Sequence, residues 1–333
     1  MRLIIDCDPG NTVPASDVDD GLALGLALAD PAVTLEAVTV VAGNTARDVG
    51  VAVARDLLDR AGAAQVPVFP GAAAPLVEDP APWRADLDGR RDTERARDLW
   101  RDVPPATPVE DGGGPPVAAA EIVRRVAAAP GEIHLVAVGP LTNVAHALQL
   151  RPALAAELAS LTIMGGAFAV PGLLQELNFG YDPEAAHIVL TSGAPITLVP
   201  YDVTGRTSLT PADVERLAAG GPLARYLADT TRPWVRWVAE ARGLPGCHLH
   251  DPLAVAVLLD PSLATRRHVR VDVELRGTLT RGRPIAWDAS GHVQRATGLR
   301  VPDIDAIDVL DGVDNDRLVA YLIETLLGAG SRT

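Results

Sequence analysis

Short runs of aliphatic and β-branched residues alternate with alanine- and leucine-rich stretches of helical spacing along most of the chain. That alternation predicts an open, mostly parallel central sheet flanked by helices, an α/β fold with a Rossmann-like core. Leu3 to Asp6 reads as the first strand, Asp20 to Ala29 as a helix, and Thr34 to Ala42 as the second strand. A helix near Arg47 to Ala61 and a short strand at Val66 to Phe69 follow. From Pro70 to Pro116 the chain turns polar and rich in Pro, Gly, Arg and Asp, which predicts a long excursion with one helix around Thr93 to Trp100. Alternation resumes with a helix over Val117 to Ala129, a strand at Ile133 to Val138 and a helix from Leu141. A strand at Leu161 to Met164, a helix near Pro183 to Thr191 and a strand at Ile196 to Pro200 come next. Helices then dominate to Leu259. A small β-rich addition (Val269 to Leu275, with a partner near Ile285) and a closing helix over Asp316 to Leu327 complete the pattern. No repeat or linker interrupts it, so one domain over 1–333 is expected, with a long polar insertion at about 70–116.

Several of these strands end in polar or glycine-containing turns: Asp6-Cys7-Asp8-Pro9-Gly10, Gly43-Asn44, Gly139-Pro140, Gly165-Gly166 and Asp202. In an open parallel sheet, ligands bind at the carboxyl ends of the strands. The expected site therefore lies along one edge, before any motif is considered.

Composition narrows the chemistry. The net charge is −14 and no basic run is present, which argues against nucleic acid as a partner. All 29 basic residues are arginine, so lysine Schiff bases and lysine nucleophiles are excluded. The two cysteines, Cys7 and Cys247, form neither a disulfide framework nor a zinc motif. Met1 runs straight into a strand, and the apolar stretch from Gly21 to Ala29 is too short to span a bilayer. A soluble, cytoplasmic protein with no membrane partner is the expectation.

Five carboxylates, Asp6, Asp8, Asp17, Asp19 and Asp20, fall within fifteen residues where the first strand stops. Carboxylates so close repel one another unless a cation or buried protons compensate, and hard oxygen ligands favour Ca²⁺ or Mg²⁺. Capping of the next helix accounts for Asp20 alone. Near the other end, His250-Asp251-Pro252 precedes an apolar run. Asp251 by itself fits a helix N-cap, with Pro252 at the first helical position.

Taken together and in order, these motifs resemble the inosine-uridine-preferring nucleoside hydrolase family over nearly the whole chain. Asp6-Cys7-Asp8-Pro9-Gly10 with Asp19-Asp20 is similar to the family's amino-terminal aspartate motif, and Thr39-Val40-Val41-Ala42-Gly43-Asn44 to its second-strand motif. Val138-Gly139-Pro140-Leu141-Thr142-Asn143 and Met164-Gly165-Gly166-Ala167 resemble two central motifs. Glu176-Leu177-Asn178, ahead of Asp182-Pro183-Glu184-Ala185-Ala186, resembles a third, and His250-Asp251-Pro252 the last.

The resemblance implies hydrolysis of the N-glycosidic bond of a ribonucleoside to ribose and free base. It implies Ca²⁺ held by Asp8, Asp20 and Asp251 with the backbone carbonyl of Val138, and Asp8 as general base toward a calcium-bound water. Asp19, Asn44, Glu176 and Asn178 would contact the ribose hydroxyls, with Met164 lining the sugar pocket and His250 as acid for the departing base. Trp83, Trp234 and Trp237 are candidates for stacking on the base, although Trp234 and Trp237, three apart on one helix, equally suit a core. The implied partner is a small nucleoside. Relatives are commonly dimers or tetramers, so the resemblance also implies a homo-oligomer.

The chain departs from the family pattern in specific places. Eight residues, Asn11 to Val18, stand between Gly10 and Asp19 where relatives usually have one, and they add the extra carboxylate Asp17. The metal site requires this segment to loop out and return Asp19-Asp20. The usual histidine-glycine motif after the third strand is missing, and Pro82-Trp83-Arg84 lies in that region. Two alternatives compete: a calcium-dependent ribosyl-ligand binding protein without turnover, and a haloacid dehalogenase-type phosphatase using the Asp6-Cys7-Asp8 loop.

Overall fold

The computed structural model describes residues 1–288 and 302–329. Its strands are β1 (Arg2–Cys7), β2 (Thr34–Val40), β3 (Val68–Pro70), β4 (Ile133–Ala137), β5 (Ser160–Met164), β6 (Ile196–Val199), β7 (Ala264–Val273), β8 (Pro284–Asp288) and β9 (Ile307–Val313). The helices before β4 are α1 (Asp19–Ala29), α2 (Arg47–Arg60), α3 (Ala81–Arg91), α4 (Glu94–Leu99) and α5 (Ala118–Ala128). Between β4 and β6 lie α6 (Thr142–Leu150), α7 (Leu154–Glu157), α8 (Leu177–Tyr181) and α9 (Pro183–Leu190). After β6 come α10 (Tyr201–Thr204), α11 (Pro211–Ala218), α12 (Pro222–Arg242), α13 (His250–Leu259) and finally α14 (Asn315–Ala329).

The strands form one sheet in the order β3-β2-β1-β4-β5-β6-β9-β7-β8. β1 to β6 are parallel, and β9 continues them parallel to β6 before pairing antiparallel with β7, which in turn pairs with β8. Strand order reverses between β1 and β4. Ligands of doubly wound sheets bind at this switch point, because the crossovers on either side leave a crevice there.

Alternation along β1 builds both sides of the core. Leu3, Ile5 and Cys7 pack with α1, α2, α12, α13 and α14, whereas Ile4 packs with α5, α6 and α9. All four are fully buried, as expected for a central strand covered on both faces. α1 is apolar nearly all round because it lies between the sheet and α12, α13 and α14.

The fold differs from the sequence pattern in two places. α3 stands in the polar excursion, and none of its residues is fully buried, so it has no apolar stripe to announce it. β9 carries Asp at alternate positions (Ile307-Asp308-Val309), yet its apolar side chains are buried between β6 and β7. The β-rich addition is therefore an extension of the main sheet. Among the described residues, no helix is long and apolar enough to cross a membrane.

Candidate active site

β1 ends at Cys7, and the next residues turn across the carboxyl edge of the sheet. Asn11 to Val18 form an ordered loop. Val13 N–H donates to Gly10 O (2.8 Å), Ser16 N–H to Val13 O (3.2 Å) and Asn11 Nδ2 to Val18 O (3.0 Å). Ala15 holds a left-handed φ of 55°, uncommon for a residue with a side chain. Thr12 Oγ1 accepts from Ala106 N–H (3.2 Å), which ties the loop to the polar excursion. The loop returns the chain so that Asp8 N–H donates to Asp20 Oδ1 at 3.0 Å. Asp19 and Asp20 thus open α1 inside the site.

Asp251 joins them from α13. Its N–H donates to Asp19 Oδ2 (3.0 Å), and carboxylate oxygens of Asp19, Asp20 and Asp251 lie within 4.8 Å of one another. The helix begins at His250 with Leu249 at its N-cap and no side-chain cap. The N-cap reading of Asp251 is therefore corrected: its carboxylate belongs to the cluster. Burial, then mutual repulsion, pushes Asp19, Asp20 and Asp251 well above the usual carboxylate range.

Asp8 sits beside this group at the end of β1. Burial pushes it up to about 7, against the opposing pull of the Asn44 N–H and the Arg84 guanidinium. Asn44 N–H donates to Asp8 Oδ2 at 2.5 Å. Gly43 makes that approach possible, since a Cβ there would lie 2.1 Å from Asp8 Oδ2 and 2.5 Å from Pro140 Cδ. Arg84, carried by α3, donates to the carbonyls of Gly43 and Asn44 and braces the turn. Asp6 is not part of the cleft lining; it accepts from Thr39 Oγ1 (2.5 Å) and Asn143 Nδ2 (2.8 Å).

A cleft of about 410 Å³ opens at this edge, within the range of roughly 300–1,000 Å³ typical of small-molecule sites. Asp8, Asp19, Asp20, Asn44, Val138, Met164, Glu176, Asn178, Trp83, Trp234, His250 and Asp251 all reach it. Glu176 is held by three backbone donors, Gly166 (2.6 Å), Asn178 (2.7 Å) and Phe179 (3.1 Å). Asn178 Nδ2 donates to the carbonyls of Val138 (2.7 Å) and Met164 (3.1 Å). Its Oδ1, without a protein partner among the described residues, is left to the cleft.

Two sequence candidates are placed differently from expectation. Trp237 lies outside the cleft, packed edge-on against Trp100 with ring centroids 6.4 Å apart; only Trp234 of that pair reaches it. The side chain of Asn44 is engaged by the inserted loop, accepting from Ser16 Oγ (3.2 Å) and donating to Asp17 O (3.3 Å). Sequence reasoning missed Arg84, Tyr201 and Arg242. Arg84 lies in the stretch of sequence that lacks the family's histidine-glycine motif, whereas nothing in the sequence marks Tyr201 or Arg242.

In the same lining, His250 Nδ1 lies 2.7 Å from Thr204 Oγ1, and the ring has Tyr201 (5.0 Å) and His248 (5.2 Å) as neighbours. Burial, with help from His248 and Arg242, pushes its pKa well below the ordinary histidine value.

Every potential ligand in the acidic cluster is an oxygen, the carboxylates are buried, and no cationic side chain is hydrogen-bonded to Asp19, Asp20 or Asp251 among the described residues. That donor set fits a hard divalent cation.

Fold and cleft together define an enzyme of the doubly wound α/β class with a carboxylate-lined small-molecule site at its switch point. Residues 3–320 match the family described as inosine-uridine preferring nucleoside hydrolase, and the chain belongs to that family. It is 34% identical to "Probable uridine nucleosidase 1" of Oryza sativa subsp. japonica, over 98% of this chain and 96% of that protein. It is 36% identical to "Pyrimidine-specific ribonucleoside hydrolase RihA" of Enterobacter sp. (strain 638), over 93% and 96% of the two chains. Among solved structures it resembles the plant nucleoside hydrolase PpNRh1 (TM-score 0.82, 30% identity, 98% of each chain). It also resembles a purine-preferring ribonucleoside hydrolase from Gardnerella vaginalis (TM-score 0.81, 29% identity, 100% of each chain). The chain is thus a nucleoside hydrolase, and the phosphatase alternative falls.

Proposed function

We propose that this enzyme cleaves the N-glycosidic bond of ribonucleosides with a Ca²⁺ ion held by Asp8, Asp20, Asp251 and the carbonyl of Val138. The observation that carries the reading is the convergence of Asp8, Asp19, Asp20 and Asp251 in one buried cleft at the switch point. When bound, such an ion supplies Lewis acidity that lowers the pKa of a water and neutralises the clustered charge. Asp8, braced by Asn44 N–H, takes a proton from the attacking water. The water oxygen bonds to the anomeric carbon as the C–N bond breaks, and the bonding pair leaves with the base. Asp19, Glu176 and Asn178 bind sugar hydroxyls, and fixed contacts of this kind favour the oxocarbenium-like transition state over the ground state. Met164 packs on the sugar, Trp83 and Trp234 flank the base, and His250 faces it as hydrogen donor.

Release of reducing sugar from a panel of purine and pyrimidine nucleosides tests this, comparing wild type and Asp8→Ala with calcium and after chelation. Calcium-dependent release that the variant loses supports the assignment. Folded, calcium-loaded protein that releases nothing from any nucleoside overturns it.

A further inference from the structure

His250 lines the cleft and its ring packs beside that of His248, and the Nδ1 partners of the two imidazoles differ in kind. His248 Nδ1 lies 2.7 Å from the carbonyl oxygen of Thr207. A carbonyl only accepts, so this nitrogen carries a hydrogen. His250 Nδ1 lies 2.7 Å from a hydroxyl, Thr204 Oγ1, which can donate or accept. Thr204 itself decides the direction. It is fully buried, and among the described residues its hydroxyl has no hydrogen-bond partner except that nitrogen. A buried O–H without an acceptor is costly, whereas an unused hydroxyl lone pair is tolerated. Thr207, three residues on, shows the contrast: its hydroxyl donates to Thr204 O (2.6 Å) and accepts from Leu249 N–H (2.7 Å). The Thr204 O–H therefore donates to Nδ1, and the ring hydrogen of His250 sits on Nε2. That nitrogen has no protein hydrogen-bond partner among the described residues, and His250 is a residue of the cleft lining.

We infer that Thr204 is a positioning residue whose hydroxyl locks His250 as the Nε2–H tautomer, making the ring a neutral hydrogen-bond donor to the departing base. The neighbouring rings of Tyr201 and His248 fix its plane. The C–N bond breaks, its electron pair stays on the base, and the Nε2–H bond disperses the developing charge without transferring its proton. Solvent water protonates the released base, and the imidazole ends as it began. A fixed donor aimed at developing charge needs no reorganisation as the bond breaks. This inference rests on the reading above that His250 faces the base.

The test uses the full chain with calcium. Thr204→Val keeps the shape and removes the hydroxyl, Thr204→Ser keeps the hydroxyl, and His250→Ala is the reference. Each is assayed on uridine and inosine and on 4-nitrophenyl β-D-ribofuranoside, whose leaving group needs no donor. Thr204→Val is expected to lower kcat on the nucleosides about 10- to 100-fold, with KM nearly unchanged and the nitrophenyl riboside unaffected. Thr204→Ser is expected to restore kcat. In ¹⁵N-histidine spectra, His250 of the wild type shows an unprotonated Nδ1 and a protonated Nε2, and Thr204→Val disturbs that signature. A protonated Nδ1 in the wild type overturns the inference, as does a Thr204→Val loss equal on both substrate types. A His250→Ala enzyme as fast as wild type on nucleosides removes instead the reading beneath it.

Discussion

Asp8→Asn changes activity and metal-free stability in opposite directions. Burial raises Asp8 from an ordinary 3.8 to about 7, so without a cation the folded protein holds a proton that the unfolded chain releases. Stability of the metal-free form therefore falls as pH rises from near 3.8 through about 7. At about 1.4 kcal/mol per pKa unit, the penalty is about 4 kcal/mol at pH 8, about 2 kcal/mol at pH 5, and none well below pH 4. Asparagine keeps an oxygen for the Asn44 N–H and places an amide donor toward Asp20, the carboxylate already bonded to Asp8. In chelator at pH 8 the variant should thus melt higher by about 6 °C, from the entropy of unfolding a chain of this length. The increment should shrink by about half at pH 5. The same substitution should lower kcat by about 10²- to 10⁴-fold, the usual range for loss of a general base. Thermal melts by circular dichroism, run at both pH values in chelator and in calcium, read the first effect; sugar release reads the second. An Asp8→Asn protein no more stable than wild type at pH 8, or one whose gain is the same at pH 5, would refute the electrostatic reasoning.

Gly43→Ala sets a Cβ against Asp8 Oδ2 and Pro140. It should cost about 10²-fold in kcat/KM, as for a displacement near 1 Å, with the circular dichroism spectrum intact; wild-type activity would show that the turn yields freely. Arg84→Met removes the cation that favours ionised Asp8, so the acidic limb of the kcat/KM profile should move to higher pH; an unmoved limb contradicts this. Thr210→Ala breaks the capping box at the start of α11 and should lower urea stability by about 1 kcal/mol while leaving turnover unchanged.

The order of strands and helices was legible because both core faces repeat along the chain, as Leu3, Ile4 and Ile5 show. The acidic cluster was legible because its members crowd the end of one strand. Asp251 was ambiguous for a local reason: Asp-Pro before an apolar run reads as a cap, and only the approach of α1 turns that carboxylate inward. Trp234 and Trp237 lie about 60° apart around one helix, a difference small enough that only the position of Trp100 separates core from cleft. Thr204 and Tyr201 carry no motif. Their roles come from α10 facing the start of α13, a long-range packing that sequence spacing does not encode.

The position of β9 has a consequence for how the chain is made. Of the described strands it is the last in chain order, yet it lies inside the sheet between β6 and β7. Until Ile307 to Val313 are available, β6 has an open edge and the β7–β8 hairpin has no sheet to join. Open edges of this kind template pairing with other chains, and closure by so distant a strand is slow. A nascent chain released before that strand would expose two unpaired edges at once, so truncation or stalling there should yield aggregate and no smaller working enzyme.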